Sequence, residues 1–330
     1  MEGAEVRLAR RPMGFPELDD FAVVRAEVPE PAAGEIVVRN RLISFDPGTR
    51  LWIQDFGLAA PQVPVGAVLP GEAIGEVVAS DDPDVPVGSL VRHQLSWRDY
   101  AVAPVSAFRV IDRSAYPRLS MHFGFAMTAY VGLVDVGDMH EGDTVFVSSA
   151  AGSVGSQAGQ IARLKGAKRV IGSAGSAAKV AFVTDELGFD AAFDHHDGPL
   201  VDRLRELAPD GIDVYFDNVG GAQLEAAIEV MRPGGRIVLC GAMSQQGGDG
   251  SPTGVRNLLQ AIGKQLTLRG FTVFAHAHRF AENAAQLSAW AQAGELRYAE
   301  TEVRGLEQAP AAFLGLLRGD HLGRVVVSLS

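Results

Sequence analysis

From about residue 123 the chain alternates short apolar, β-branched runs with segments of helical period. The runs fall at Thr144–Val147, Arg169–Gly172, Ala191–Phe193, Asp213–Phe216, Arg236–Cys240 and Leu266–Val273 and predict six strands. Between most of them lie stretches such as Leu200–Ala208 and Gln223–Met231, whose apolar spacing predicts helices. Parallel strands need a crossover, so this alternation predicts a doubly wound parallel sheet. The first third reads differently. Short β-segments at Glu35–Asn40, Ala73–Ala79, Ser89–His93 and Tyr100–Ala103 are separated by Pro- and Gly-rich turns at 29–34 and 83–88. The tail returns to that character, with a helix at Ala309–Arg318 and a strand at Arg324–Leu329 expected to rejoin the N-terminal domain. The expected fold is therefore α/β, with residues 1–122 plus 296–330 as a mostly β domain and 123–295 as a parallel-sheet domain.

One junction has chemical content. The strand Thr144–Val147 feeds a turn with Ala150, Gly152 and Gly155 spaced A-x-G-x-x-G, and a helix with small residues Ala158, Gly159 and Ala162 follows. Small residues let a backbone approach a pyrophosphate, while the free N–H groups and dipole of a helix start favour its charge. A glycine turn alone is weak evidence and could be only a structural βα turn. Here the strand before it, the helix after it and the next strand all support dinucleotide binding. An NAD-type site places an acidic residue at the end of the second strand, roughly twenty residues past the turn. That place reads Gly172-Ser173-Ala174-Gly175-Ser176, with Lys179 a helical turn later and His195 closing the third strand. Lys179 by itself could be a solvated helix residue. Joined to the missing carboxylate, it points to a ribose 2′-phosphate and so to NADP(H).

Composition excludes several alternatives. The 330 residues are 47% apolar and 21% charged, which describes a globular protein. No run of about twenty apolar residues predicts a membrane span, and the N-terminus lacks an apolar core of signal-peptide length. A net charge of −11 argues against a nucleic-acid partner. The single cysteine, Cys240, rules out an internal disulfide or a cysteine-rich zinc site and suits a reducing cytoplasm.

The chain resembles the zinc-independent medium-chain dehydrogenase/reductases, specifically the leukotriene-dehydrogenase/prostaglandin-reductase group of alkenal and enone reductases. The resemblance rests on MTAYVGL (127–133), SSAAGSVGS (148–156), AGSAAK (174–179), LGFDAAFDH (187–195), YFDNVGG (215–221), GRIVLCGAMS (235–244), GFTV (270–273) and LRGDHLGR (317–324). It implies a GroES-like β domain around a Rossmann domain, and NADPH-dependent reduction of the carbon–carbon double bond of α,β-unsaturated ketones or aldehydes. It also implies a homodimer joined through the edge strand at Leu266–Val273.

By the same resemblance, Met127, Thr128, Gly152, Ser153, Val154 and Gly155 would hold the cofactor. Ser176, Lys179 and His195 would hold its 2′-phosphate, with His195 replacing a usual tyrosine. Asn218, Cys240, Gly241, Ala242, Ser244, Phe271, Val273 and His321 would line its ribose and nicotinamide. Arg50, Trp52, Gln246 and Phe274 would form the substrate pocket. Tyr130 would be the catalytic candidate, with a core role as the alternative.

Two usual pocket tyrosines are replaced, one in Asp46-Pro47-Gly48-Thr49-Arg50 and one at Gln245-Gln246. That widens the pocket and leaves the substrate open. The loop 245–254 reads either as a lid or as a plain surface loop. Zinc ligands are not expected, because Ser44-Phe45-Asp46 and Pro70-Gly71-Glu72 stand where zinc-dependent relatives place Cys and His. His276 and His278 could project together from a strand, but lack a convincing third ligand. Quinone reduction, allylic alcohol oxidation with NADP⁺, or NADPH binding without catalysis are the remaining alternatives.

Overall fold

The computed structural model describes residues 1–57, 61–246 and 254–329. Two compact units divide the chain, Met1–Phe123 with Glu300–Ser330, and Gly124–Ala299.

In the first unit β1 (Glu2–Leu8) and β2 (Phe21–Glu27) form an antiparallel pair. A larger sheet joins β3 (Glu35–Ser44), β4 (Glu72–Ala79), β5 (Leu90–His93), β6 (Tyr100–Pro104) and β7 (Arg109–Val110) to β14 (Glu300–Arg304) and β15 (Arg324–Ser328). Its order is β14-β15-β3-β4-β5-β7, with β6 also on β3. The last strand, β15, thus pairs antiparallel with β3. Two helices pack here, α1 (Thr49–Ile53) and α10 (Ala309–Arg318). Pro310 starts α10 and Gly319, left-handed at φ 76°, stops it. The core centres on Trp97, fully buried against Phe45 (4.8 Å between ring centroids), Phe313 (5.8 Å) and Phe21 (6.0 Å).

The second unit is an all-parallel sheet of β8 (Thr144–Val147), β9 (Arg169–Ala174), β10 (Ala191–Asp194), β11 (Ile212–Asp217), β12 (Met231–Leu239) and β13 (Thr267–Gly270). The order β10-β9-β8-β11-β12-β13 is that of a Rossmann sheet. Its helices are α2 (Phe125–Tyr130), α3 (Ser153–Leu164), α4 (Ala177–Ala181), α5 (Leu200–Leu207), α6 (Gly221–Val230), α7 (Met243–Gln246), α8 (Leu258–Gly263) and α9 (Phe280–Gln292). Every residue of β8 is buried, as befits a central strand covered on both faces. The α/β class and its two architectures match the expectation.

The last expected strand is shorter than its apolar run. β13 ends at Gly270, and Val273–Arg279 forms a 3-10 helix that contains His276 and His278. Among the described strands it is bonded only to β12, so this edge strand has one partner to hold it extended. No described helix is long and apolar enough to cross a membrane.

Candidate active site

The glycine turn is held low by packing. Ala150 N donates to Ser173 O (2.8 Å), tying the turn to β9, and Gly152 N donates to Ser149 O (3.0 Å). A Cβ on Gly155 would collide with Ser149's carbonyl, and one on Gly172 would lie 2.7 Å from Ala150's Cβ. Gly152 is the N-cap of α3, and no side chain caps that helix. The amides of Ser153, Val154 and Gly155 therefore face outward without intrahelical acceptors. Ser153 Oγ is buried and has no partner. Three amides, an orphaned hydroxyl and the positive end of a 12-residue helix fit a pyrophosphate.

Chain order reverses between β8 and β11, so a crevice opens at their carboxyl ends, the usual ligand position in such sheets. Asn218 bridges the two strand ends: its amide donates to Ser148 Oγ (2.9 Å) and its Nδ2 to Ser148 O (2.7 Å). Beneath it, Asp217 Oδ1 accepts from Tyr215 OH (2.7 Å), Gly220 N (2.7 Å), Val219 N (2.9 Å) and Ser148 Oγ (3.3 Å). Burial still raises this carboxyl above its usual range, outweighing those bonds. Sequence reasoning missed Asp217 and Ser148. Their signal was a polar residue ending an otherwise apolar strand. Cys240 N and Gly241 N donate to Asp217 O (2.9 and 3.0 Å), and Ser244 N to Val219 O (2.9 Å). Ser244 Oγ, like Ser153 Oγ, is buried without a partner among the described residues. Burial, reinforced by Asp217, pushes the Cys240 thiol up to about 12, so it packs the crevice rather than acting as a nucleophile. Phe271 lies against the chain at Gly132, where a Cβ would come within 2.9 Å of its Cζ. Met127 and Thr128 are half-buried on α2. The crevice thus gathers Gly152–Gly155, Asn218, Cys240–Ala242 and Ser244.

A third group forms at the end of β9. Ser176 N-caps α4, its Oγ accepting from Lys179 N (3.3 Å). His195 donates both its amide (3.0 Å) and its Nδ1 (2.7 Å) to Ala174 O. Its ring lies over Gly175, where a Cβ would be 3.2 Å from His195 Cε1. Gly175, Ser176 and His195 therefore meet at one strand end, with Lys179 on the adjoining helix. The nearest strand-end acid, Asp194, is occupied by His196.

Tyr130 is buried between the ring of Trp290 (6.1 Å) and the Lys165 ammonium (5.9 Å). Lys165 caps the far end of α3, about 18 Å along the helix from its pyrophosphate end. Tyr130 therefore has a packing environment, and burial raises its pKa further. Phe274 is 75% exposed and lines no wall of its own unit. In the first unit, Arg50 is buried. It is 2% exposed, donates to Gln54 Oε1 (2.9 Å) and Gly14 O (3.0 Å), and lies over the rings of Phe15 and Phe56. Trp52 packs half-buried against that unit's core. His321 pairs through Nε2 with Ala312 O (3.2 Å) on α10. The Gln246 side chain and most of the 245–254 loop, residues 247–253, lie outside the described residues.

Residues 4–111 match the family model described as the N-terminal domain of oxidoreductase, and 153–290 match the one described as zinc-binding dehydrogenase. The NADPH-dependent curcumin reductase of Escherichia coli is 34% identical, over 98% of this chain and 96% of its own. Prostaglandin reductase 1 of Rattus norvegicus is 36% identical over 95% of each. The crystal structure of CurA in complex with NADPH from Vibrio vulnificus superposes with a TM-score of 0.91 at 36% identity, covering 99% of both chains. The chain belongs to the medium-chain dehydrogenase/reductases, within their enone and alkenal reductase branch.

Proposed function

We propose that this NADP-dependent oxidoreductase reduces the carbon–carbon double bond of α,β-unsaturated ketones or aldehydes. The reading is supported by the family and by one observation above the rest: the β9 end presents Ser176, Lys179 and His195 where an NAD site needs a carboxylate. Bound NADPH supplies the hydride such a reduction requires. The chain's part is to seat the pyrophosphate on the α3 amides and Ser153 Oγ, and to hold the strand-end crevice open through Ser148, Asp217 and Asn218. Tyr130 packs beside Trp290 and Lys165, and in this reading solvent supplies the proton to the α-carbon. The reading places the enzyme in the cytoplasm, in keeping with one cysteine.

Absorbance at 340 nm with a panel of enones, enals and quinones tests the reaction. Loss of NADPH with enones, and a saturated product by mass spectrometry, are expected. Preferential turnover of quinones would overturn it. Lys179→Ala should weaken NADPH far more than NADH, and Tyr130→Phe should keep kcat within about twofold. A loss of tenfold or more in Tyr130→Phe would return that residue to the catalytic role.

We further propose a homodimer through β13. Among the described residues no strand pairs with its outer edge, and beside it α8 turns Leu259 (80% exposed) and Ile262 (74%) outward, with Leu258 also exposed. Apolar side chains grouped beside an open strand edge suit a second copy of this chain.

A further inference from the structure

At the end of β10 three metal-ligating side chains follow one another. Asp194, His195 and His196 each offer a ligand atom within 4.8 Å of the other two, the one such group of three among the described residues. Their hydrogen bonds fix which nitrogen is available. A carbonyl can only accept, so the 2.7 Å contact to Ala174 O places the hydrogen on His195 Nδ1. The Asp194 carboxylate likewise engages His196, accepting from its amide (3.0 Å) and lying 2.8 Å from its Nδ1. Nε2 is thus the ring nitrogen left over on each histidine, on rings 4.0 Å apart and tilted by 37°. A histidine whose other nitrogen is anchored by a carbonyl or carboxylate has the arrangement that orients metal ligands.

We propose that Asp194, His195 and His196 form a binding site for a divalent transition metal ion, ligated by both Nε2 atoms and oriented by Ala174 O and Asp194. Imidazole pairs favour zinc, copper and nickel over magnesium or calcium. Two protein nitrogens leave coordination positions open, and the His195 ring lies over Gly175, beside Ser176. A phosphate oxygen can fill one of those positions. Resting on the 2′-phosphate reading above, the ion bridges His195 and the ribose phosphate, so ion and NADPH strengthen each other reciprocally while NADH does not. The site is separate from the crevice and has no part in hydride transfer.

The test titrates the purified chain with Zn²⁺ against a chromophoric chelator. One ion per chain is expected, with affinity at least about tenfold weaker in His196→Asn and unchanged in His278→Asn. His196 is exposed, so the variant should fold, and circular dichroism checks that it does. Equal uptake by wild type and His196→Asn, or a loss confined to His278→Asn, overturns the site. NADPH and NADH dissociation constants are then measured by fluorescence with Zn²⁺ and with chelator. Several-fold tightening for NADPH alone supports the bridge. A chain that prefers NADPH in chelator but ignores Zn²⁺ overturns the bridge. Equal affinity for the two cofactors in chelator defeats the 2′-phosphate reading instead, and leaves ion uptake to judge the site.

Discussion

His93 shows how a buried side chain sets a property of the whole protein. Its Nδ1 accepts from Leu95 N (3.1 Å), its Nε2 is buried without a partner, and its ring meets Phe108 edge-on at 5.0 Å. Burial, with help from Arg98, lowers its pKa to about 3. Unfolded, it would protonate near the ordinary 6.5, so between those values the unfolded chain binds the extra proton. Stability is therefore full above pH 6.5 and falls as pH drops toward 3, by about 2 kcal/mol at pH 5 from this residue. His122, lowered first by burial and then by Arg113, adds to the same slope. His93→Gln should shrink the difference in Tm between pH 7.5 and pH 5 by several degrees. An unchanged difference would mean that the imidazole is protonated at no cost.

Residues like this one were hidden in the sequence, because burial depends on what the rest of the chain brings over them. The burial of Arg50 and Tyr130 was out of reach for the same reason. Gly152, Gly155, Ser176 and Asn218 were legible, because a backbone turn, a cap and a strand end each restrict the residue that can serve there.

At the scale of elements, β8, the turn and α3 make one unit whose glycines are close-approach sites. Neither of the two that matter has a positive φ. Gly155 is needed because its helix turn rests on Ser149's carbonyl, and Gly159 because a Cβ would enter the ring of Phe189. The two should fail differently. Gly155→Ala pushes α3 away from the turn, so NADPH affinity should fall by tenfold or more. Gly159→Ala overpacks the interior, costing about 1–3 kcal/mol, and Phe189→Leu should restore part of that while leaving NADPH affinity near wild type. Calorimetric melting and cofactor titration of the three variants distinguish these outcomes. Equal losses of affinity in Gly155→Ala and Gly159→Ala would defeat the distinction.

The six sheet strands were legible because each is a short apolar run bounded by turn residues. The pair β1 and β2, the helix α9 and the strand β14 were not. In β2 and β14 much of the surface is exposed, which dilutes the apolar signal on which reading a strand depends. The run ending at Val273 was over-read, since composition does not reveal that an edge strand has one neighbour.

For the whole molecule the proposed assembly turns on the edge of the Rossmann sheet that no other described strand covers. β10 closes one side, and β13 closes the other as a four-residue strand with every residue exposed. Two copies related by a two-fold axis can pair β13 with β13 only antiparallel, which would extend each six-stranded sheet into one of twelve. The same axis would bring the outward faces of two α8 helices together, covering Leu259 and Ile262. The double variant Leu259→Glu, Ile262→Glu places four like charges at that contact while disturbing little inside one chain, because both positions are more than 70% exposed. Sedimentation should therefore show two chains for the wild type and one for the variant, with the variant's NADPH affinity intact. A wild type that sediments as a single chain at tens of micromolar, or a variant that remains paired, would show that this edge is protected by its own side chains and that the apolar face of α8 serves another contact.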